Sequence, residues 1–261
     1  MRRAAGLFAV IMLALLADPA RAQDKPEQLV TGISSEKIEI TSNFTGADIV
    51  IFGTIENNRL PLDSTRKYDL AIVLQGPETP AVVRRKERTL GIWINRDARS
   101  YSREPSSYMV VSTRPLDKLT DAKTLKLRRI GIDNLSINPR EEGTGSAAEN
   151  QAFRDAFVRL KKTSKLYVES AGTVNFLSRS MFKAAIDIPS NIPVGYHFMT
   201  AYLFLDGQFL ASQSLSLQIE KTGFERFAYR SAHQQPALYG LIAVVLAVLT
   251  GWAAGIIFRK N

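Results

Sequence analysis

The sequence predicts a mainly β protein, in which an antiparallel β-sandwich is interrupted by a helical segment and followed by one transmembrane helix. Three observations predict this class. Short apolar runs with a period of two recur between turn residues in both halves of the body. The segment between these halves changes to helical spacing. Residues 237–258 contain no charged side chain, and about 20 apolar residues suffice to cross a bilayer as a helix.

The first 22 residues have the pattern of an export signal. Arg2 and Arg3 precede an apolar run at residues 4–16, and residues 20–22 (Ala-Arg-Ala) match a cleavage site of the A-x-A type. We expect residues 1–22 to be a signal peptide, which places the following body in the periplasm. An uncleaved signal anchor, which would add a second span, is the alternative.

Residues 23–115 are predicted to form the first portion of the sandwich. The run KIEIT at residues 37–41 alternates polar and apolar side chains, as a half-buried strand does. The neighbouring runs are also short and are bounded by residues that favour turns. The predicted strands cover residues 29–33, 37–41, 47–55, 68–74, 81–83, 90–95 and 108–112. The charged run at residues 84–88 lies between two of these strands.

Residues 116–163 are predicted to be a helical insertion. Residues 116–127 carry scattered leucines, which is consistent with one or two short helices. Ser146 and Glu149 have the spacing of a capping box, and a helix is predicted over residues 147–162. Its apolar side chains recur at helical intervals: Phe153, Ala156, Phe157 and Leu160. We expect this stripe to pack on the edge or face of the sandwich; a groove that binds a partner is the alternative.

Residues 164–222 are predicted to form the second β portion, which closes the sandwich. The predicted strands cover residues 166–170, 181–188, 195–205, 208–212 and 214–220, and Asp206-Gly207 is a favoured hairpin dipeptide. A strand, a proline-containing turn, a long strand, a tight hairpin and a last strand are together typical of immunoglobulin-like sandwiches. The two β portions either form separate subdomains or interleave in one pair of sheets.

Composition excludes several kinds of chemistry. The chain has no cysteine, which removes disulfides, thiolate metal sites and thiol nucleophiles. His197 and His233 have no neighbouring ligand at metal-binding spacing, and no nucleophile elbow, phosphate-binding loop or dinucleotide fingerprint is present. We therefore expect no catalytic residues, no cofactor and no metal, and hence no enzyme. Export also argues against nucleic acid as a partner of this basic chain, whose net charge is +9.

Two basic segments are candidate contacts for an anionic ligand or for phospholipid phosphates. The first is the cluster of Arg84, Arg85, Lys86 and Arg88. The second is the juxtamembrane linker, residues 223–236, where Arg226 and Arg230 alternate with aromatic residues that suit the head-group region. The alternatives are a charged sheet edge that discourages aggregation and a plain linker.

The predicted transmembrane helix, residues 237–258, has a further pattern. Small residues recur at four-residue spacing along one stripe: Ala243, Ala247, Gly251 and Gly255. Such a stripe lets two helices approach closely, so it is a candidate surface for self-association or for a membrane-protein partner. Arg259 and Lys260 in the tail, residues 259–261, favour a cytoplasmic C-terminus. We expect a single-pass protein of the bacterial inner membrane with its N-terminus in the periplasm.

Several segments resemble a known family. They include GIWIN at residues 91–95, the helix around Phe153 and Arg154, residues 176–177, the turn at residues 188–196 and the terminal span. The chain resembles, over nearly all of its mature length, the alphaproteobacterial transmembrane family Alph_Pro_TM. The resemblance implies an inner-membrane protein with a periplasmic domain, and it supplies no catalytic residues. The family's association with genes for sulfite-exporter-like permeases implies an accessory role.

Two functional hypotheses follow from these observations. The first is a non-enzymatic, membrane-tethered interaction or accessory protein that supports an inner-membrane transporter. The second is a periplasmic domain that binds or senses a small anion or a glycan through the basic cluster at residues 84–88.

Overall fold

The computed structural model describes residues 26–58, 60–61, 66–89, 91–140, 146–222 and 232–257. The predicted signal peptide, the tail and the linker residues Arg226 and Arg230 lie outside the described residues. The strands are β1 (Gln28–Ile33), β2 (Lys37–Ile40), β3 (Gly46–Glu56), β4 (Tyr68–Gln75), β5 (Glu78–Thr89), β6 (Ile92–Pro105), β7 (Tyr108–Ser112), β8 (Tyr167–Ala171), β9 (Asn175–Phe176), β10 (Met181–Pro189), β11 (Gly195–Leu205) and β12 (Gln208–Lys221). The helices are α1 (Leu116–Leu119), α2 (Ala122–Arg128), α3 (Ala147–Thr163) and α4 (Pro236–Ile257), with a 3₁₀ turn at Ile132–Asn134.

Two sheets form the sandwich. The four-stranded sheet has the order β1-β3-β10-β9, and the six-stranded sheet has the order β2-β12-β11-β4-β7-β8. Strand β3 pairs with β10, and β4 pairs with β11, so the two β portions interleave in one pair of sheets. The mainly β class is confirmed. Two pairs are parallel, β2 with β12 and β7 with β8, and each lies at an edge of the six-stranded sheet.

The core between the sheets explains why the strands have their predicted alternation. Ile51 and Phe182 from one sheet meet Leu70, Ile72 and Leu203 from the other, and all are fully buried. Strand β4 is apolar on both faces because a second hydrophobic layer covers its other side. A strand that is buried on both faces has a continuous apolar run rather than alternation.

The helical insertion forms that second layer on the outer face of the six-stranded sheet. The capping box is present: Ser146 Oγ accepts from the Glu149 N–H, and the Glu149 carboxylate accepts from the Ser146 N–H. Phe153 and Phe157 are buried in this layer together with side chains of β4 and β7. Leu160, which the sequence placed on the same stripe, is 58% exposed. The apolar stripe is therefore narrower than predicted.

The largest difference from the predicted strands concerns β5 and β6. The sequence predicted two short strands on either side of the charged run at residues 84–88, but this run lies within β5, which pairs with β6 in a long hairpin. The charges were misleading because these side chains are exposed and the strand is held by its backbone ladder rather than by burial. Similarly, the two predicted strands at residues 208–212 and 214–220 are one strand, β12.

Helix α4 matches the predicted transmembrane helix to within one residue at each end. Within the part of the chain that the structure describes, one helix is long and apolar enough to cross a membrane, at Pro236–Ile256, with a mean hydropathy of 2.1. Its described side chains are exposed, as the lipid-facing side chains of a lone span would be.

Candidate functional site

The hairpin of β5 and β6 extends the central strands of the six-stranded sheet beyond the sandwich. Residues 76–77 connect β4 to β5, and residues 106–107 connect β6 to β7. Between these two connections the Gly76 N–H donates to the Ser107 carbonyl (2.8 Å), and the Ser106 N–H donates to the Pro77 carbonyl (2.9 Å). The backbone ladder therefore continues through the junction and fixes the origin of the hairpin.

Side-chain packing at the same junction requires glycine at position 76. A Cβ atom there would lie 2.5 Å from Ser107 Oγ, 2.6 Å from Ser106 Oγ and 2.9 Å from His197 Nε2. His197 is fully buried, and this burial lowers its pKa, so the imidazole is neutral. The junction is thus closely packed around a glycine and an uncharged histidine.

The inner face of the hairpin is attached to helix α3. Val83 is buried, and the Arg99 guanidinium lies over the Phe153 ring at 5.1 Å while its Nε–H donates to Asn150 Oδ1 (3.1 Å). The Arg85 guanidinium lies 5.9 Å from the same ring. Cation–π contacts and a hydrogen bond therefore hold the first half of the hairpin against the helical layer.

The outer face of the hairpin forms what we call the basic strip: Arg84, Lys86, Arg88 and Trp93. Alternate residues of a strand share one face, and Trp93 lies directly opposite Arg88 in the ladder. All four side chains are exposed, Trp93 to 66%. Among the described residues, none of the three cations has a carboxylate partner.

Arg85 belongs to the other face, although the sequence placed it in the same cluster. It forms an ion pair with Asp97, and Arg96 forms one with Glu87 at 3.0 Å. The two acidic side chains of this part of the hairpin are therefore used on the inner face. The net charge of the basic strip is positive, because the acidic side chains of Glu87 and Asp97 lie on the inner face of the hairpin.

Trp93 is a candidate functional residue that the sequence analysis did not identify, because it selected the basic cluster by charge alone. It ends the strip beside the turn at Gly91, and its neighbours Ile92 (68%) and Ile94 (44%) are also exposed. Three consecutive apolar residues that follow a charged run and a glycine are the signal in the sequence that could have identified it. A rigid aromatic ring among unpaired cations can contact an acidic protein surface or phospholipid phosphates.

The other predicted interaction surface lies on α4. Ala243, Ala247, Gly251 and Gly255 follow one stripe of the helix, and all four are exposed. A Cβ atom at Gly251 or Gly255 would meet no atom within 4 Å. The stripe is therefore open, and its association with another helix stays a prediction.

The base of the hairpin also contains a carboxyl group with an altered pKa. Glu104 is 5% exposed, and burial raises its pKa from 4.5 to about 7, against a hydrogen bond from the Asn138 N–H that lowers it. Because the folded state holds this proton more tightly than the unfolded state, its stabilising contribution is complete below about pH 4.5 and is lost as the pH rises through about 7.

We expect Glu104→Gln to remove this pH dependence, because the amide stays neutral. At pH 8 the variant should be more stable than the parent by about 1–2 kcal/mol, and at about pH 4 the two should be equal. Chemical unfolding of the full-length protein between about pH 4 and pH 8 measures the difference. The exposed Glu36→Gln is the control, and parallel curves for Glu104→Gln and the parent would contradict the assignment.

The fold and the apolar helix define a membrane protein whose described body is a β-sandwich and which has one C-terminal candidate span. The chain belongs to the family described as "Putative transmembrane protein (Alph_Pro_TM)", which matches residues 28–260. This confirms the family resemblance seen in the sequence. No curated protein and no solved structure matches the chain.

Proposed function

We propose that this protein is a non-enzymatic, membrane-anchored accessory protein that engages a membrane-protein partner through the basic strip. The observation that carries the proposal is the exposed Trp93 next to Arg84, Lys86 and Arg88, on a hairpin that is held firmly at its base. Buried aromatic and arginine side chains contribute most of the energy in many protein interfaces. The positive charge of the strip is complementary to an acidic extramembrane surface on the partner.

The placement of the protein is part of the proposal. The body lies in the periplasm, α4 crosses the inner membrane once, and the C-terminus is cytoplasmic. The export pattern of residues 1–22 and the basic tail support this orientation. A body anchored in this way stays within reach of other membrane proteins, which raises the effective concentration of the strip at their surfaces. A sulfite-exporter-like transporter is the partner that the family resemblance favours.

The immunoglobulin-like class of the sandwich is also proposed here. The order β1-β3-β10-β9 corresponds to the strands A, B, E and D of an immunoglobulin sheet, and β12-β11-β4 corresponds to G, F and C of the opposite sheet. In this scheme the hairpin and the helical insertion are additions between strands C and D. Immunoglobulin-like domains commonly support binding surfaces on such additions and loops.

The partner contact is tested by combining Trp93→Ser with Arg88→Glu. Purification of the full-length protein in mild detergent should recover a stoichiometric membrane protein, and the double variant should reduce its recovery by at least about tenfold. The matched control combines Phe52→Ser with Lys183→Glu. It changes an exposed aromatic residue and the cation directly opposite it, both in the four-stranded sheet and away from the hairpin. This control should recover the partner as the parent does.

Replacing both Gly251 and Gly255 by Leu separates the two candidate surfaces. Recovery that falls with the helix variant and not with the hairpin variant would assign the contact to α4 and contradict the role of the strip. A full-length protein that is purified alone and monomeric would contradict the accessory role itself.

A further inference from the structure

One end of the sandwich contains a cavity of about 590 Å³ that is separate from the hairpin. It lies where the chain enters β4 and leaves β7, and residues 174–179 around the short strand β9 close its other side. Small-molecule sites in proteins have volumes of about 300–1,000 Å³. The cavity is therefore large enough for an organic molecule with a ring or a short chain.

The floor of this cavity is apolar. Val174 is buried in the core between the sheets, and Leu60 and Phe176 pack against that core. The Phe176 ring makes an edge contact with the buried Phe182 ring at 6.2 Å. An apolar group that enters the cavity would thus lie on a preformed part of the sandwich core and would remove apolar surface from water.

The rim of the cavity is strongly basic. Four cations line it, Arg66, Lys67, Arg114 and Arg179, against a single described carboxylate, Asp69.

Two of these cations already have a carboxylate partner. Arg114 forms an ion pair with the buried Asp69, which also accepts a hydrogen bond from the Thr113 hydroxyl (2.9 Å). Arg66 forms an ion pair with Asp206 at 2.5 Å. These two ion pairs hold Arg66 and Arg114 at the wall of the cavity. The excess positive charge of the rim therefore comes from the other two cations.

The other two cations, Lys67 and Arg179, account for the excess positive charge of the rim. In the residues that the structure describes, neither is paired with a carboxylate. Arg179 donates to the Pro61 carbonyl (2.9 Å), which directs its guanidinium across the cavity from β9 to the connection before β4. At the same side of the cavity, Asn58 Oδ1 accepts hydrogen bonds from the Leu60 N–H (2.8 Å) and the Tyr68 hydroxyl (3.1 Å). Arg179 is therefore held in place at the rim, and Lys67 lies directly before the first residue of β4.

We propose that this cavity binds an organic anion, whose carboxylate or sulfonate group contacts Arg179 and Lys67 and whose apolar group lies on the floor. A guanidinium presents a planar fork of donors that fits such a group, and the contact gains from its charge. An inorganic anion would leave the floor unused, and a neutral molecule would leave the two cations without a counter-charge. The basic strip offers no comparable enclosure, because its residues lie on an exposed ribbon.

The test uses the full-length protein in nanodiscs of neutral phosphatidylcholine, with 2-naphthoate as the probe. Naphthoate should bind at least about tenfold more tightly than its neutral analogue 2-naphthamide, as measured by saturation-transfer NMR titration. Combining Lys67→Gln with Arg179→Gln should weaken naphthoate binding by about tenfold or more. The matched control combines Arg84→Gln with Lys86→Gln and removes two cations from the basic strip. This control should bind naphthoate as the parent does.

Three results would overturn the proposal: equal binding of naphthoate and naphthamide, equally strong binding of inorganic sulfate, or no naphthoate binding up to about 5 mM. Equal weakening by the hairpin control would also do so, because it would indicate a general effect of net charge. Thermal unfolding of each variant shows whether the sandwich is intact, and both substituted cations of the cavity are exposed. Partner recovery by the hairpin is measured separately, so either proposal can fail alone.

Discussion

Gly53→Ala should destabilise the sandwich by about 3 kcal/mol, although it adds a single carbon atom. Gly53 lies in β3, between β1 and β10. The added Cβ would lie 2.5 Å from the Val30 carbonyl oxygen and 2.6 Å from the Phe182 ring. The carbonyl belongs to the ladder of β1, and the ring is fully buried, so neither atom can move without disturbing the sheet or the core.

The matched control is Gly32→Ala on the neighbouring strand. Its added Cβ would meet the Phe52 ring at 2.8 Å, and no backbone atom is among its nearest neighbours. Phe52 is 46% exposed and can turn towards solvent, so the loss should stay below about 1 kcal/mol. Chemical unfolding followed by far-ultraviolet circular dichroism gives both free energies of unfolding. Equal losses would show that the contact across Gly53 relaxes.

Phe157→Ala should cost about 3–5 kcal/mol, because it empties the centre of the second hydrophobic layer. The Phe157 ring lies 5.3 Å from the ring of Tyr101 in the hairpin and 5.9 Å from the ring of Tyr167 in β8. Lys161 adds a cation 5.6 Å from the same ring. One side chain of α3 therefore connects the hairpin to the six-stranded sheet.

The effect of Phe157→Ala should also be visible in the hairpin. Amide hydrogen exchange in β5 and β6 should become faster, because the inner face of the hairpin loses its contact with α3. Leu160→Ala, one turn further along the same helix, is the control; it should change stability by less than about 0.5 kcal/mol because Leu160 is mostly exposed. A similar loss for the two variants would mean that α3 is not held through Phe157.

Local sequence patterns predicted most of the strands and helices. Strands such as β10 and β11 alternate because one face packs on the core, the continuous apolar run of β4 reflects burial on both faces, and α3 begins at its capping box. The hairpin was not identified, because residues 84–88 are all charged and pair across the strands without a buried side chain among them. A period-two search detects burial, and this part of the hairpin has none. Strand β9, with two residues, is too short for any periodicity.

The candidate sites show a similar division. The positive charge of the basic strip can be read from the sequence, whereas the separation of Arg85 from its neighbours depends on which strand face each residue occupies. The cavity could not be predicted, because Lys67 and Arg179 are distant in the chain. They line one space because β4, which follows Lys67, and β10, which follows Arg179, lie in the two sheets that pack face to face. Such long-range pairings depend on the whole fold and are not encoded in any one segment.

The parallel pairing of β12 with β2 has a mechanical consequence. Strand β12 is the strand from which the chain continues to the membrane anchor, and it is bonded along its length to β11 and at its end to β2; beyond the ladder, the Thr222 N–H donates to the Ile40 carbonyl (2.9 Å). The pairing of Gln75 with Phe198 and of Phe198 with Ser216 puts the C-terminal end of β12 at the same end of the sheet as the base of the hairpin. Tension between the hairpin and the anchor would therefore act at that one end of the six-stranded sheet. There the last residues of β12 are bonded to β11 on one side and to β2 on the other, so the parallel strand strengthens the end of the sandwich that takes the load.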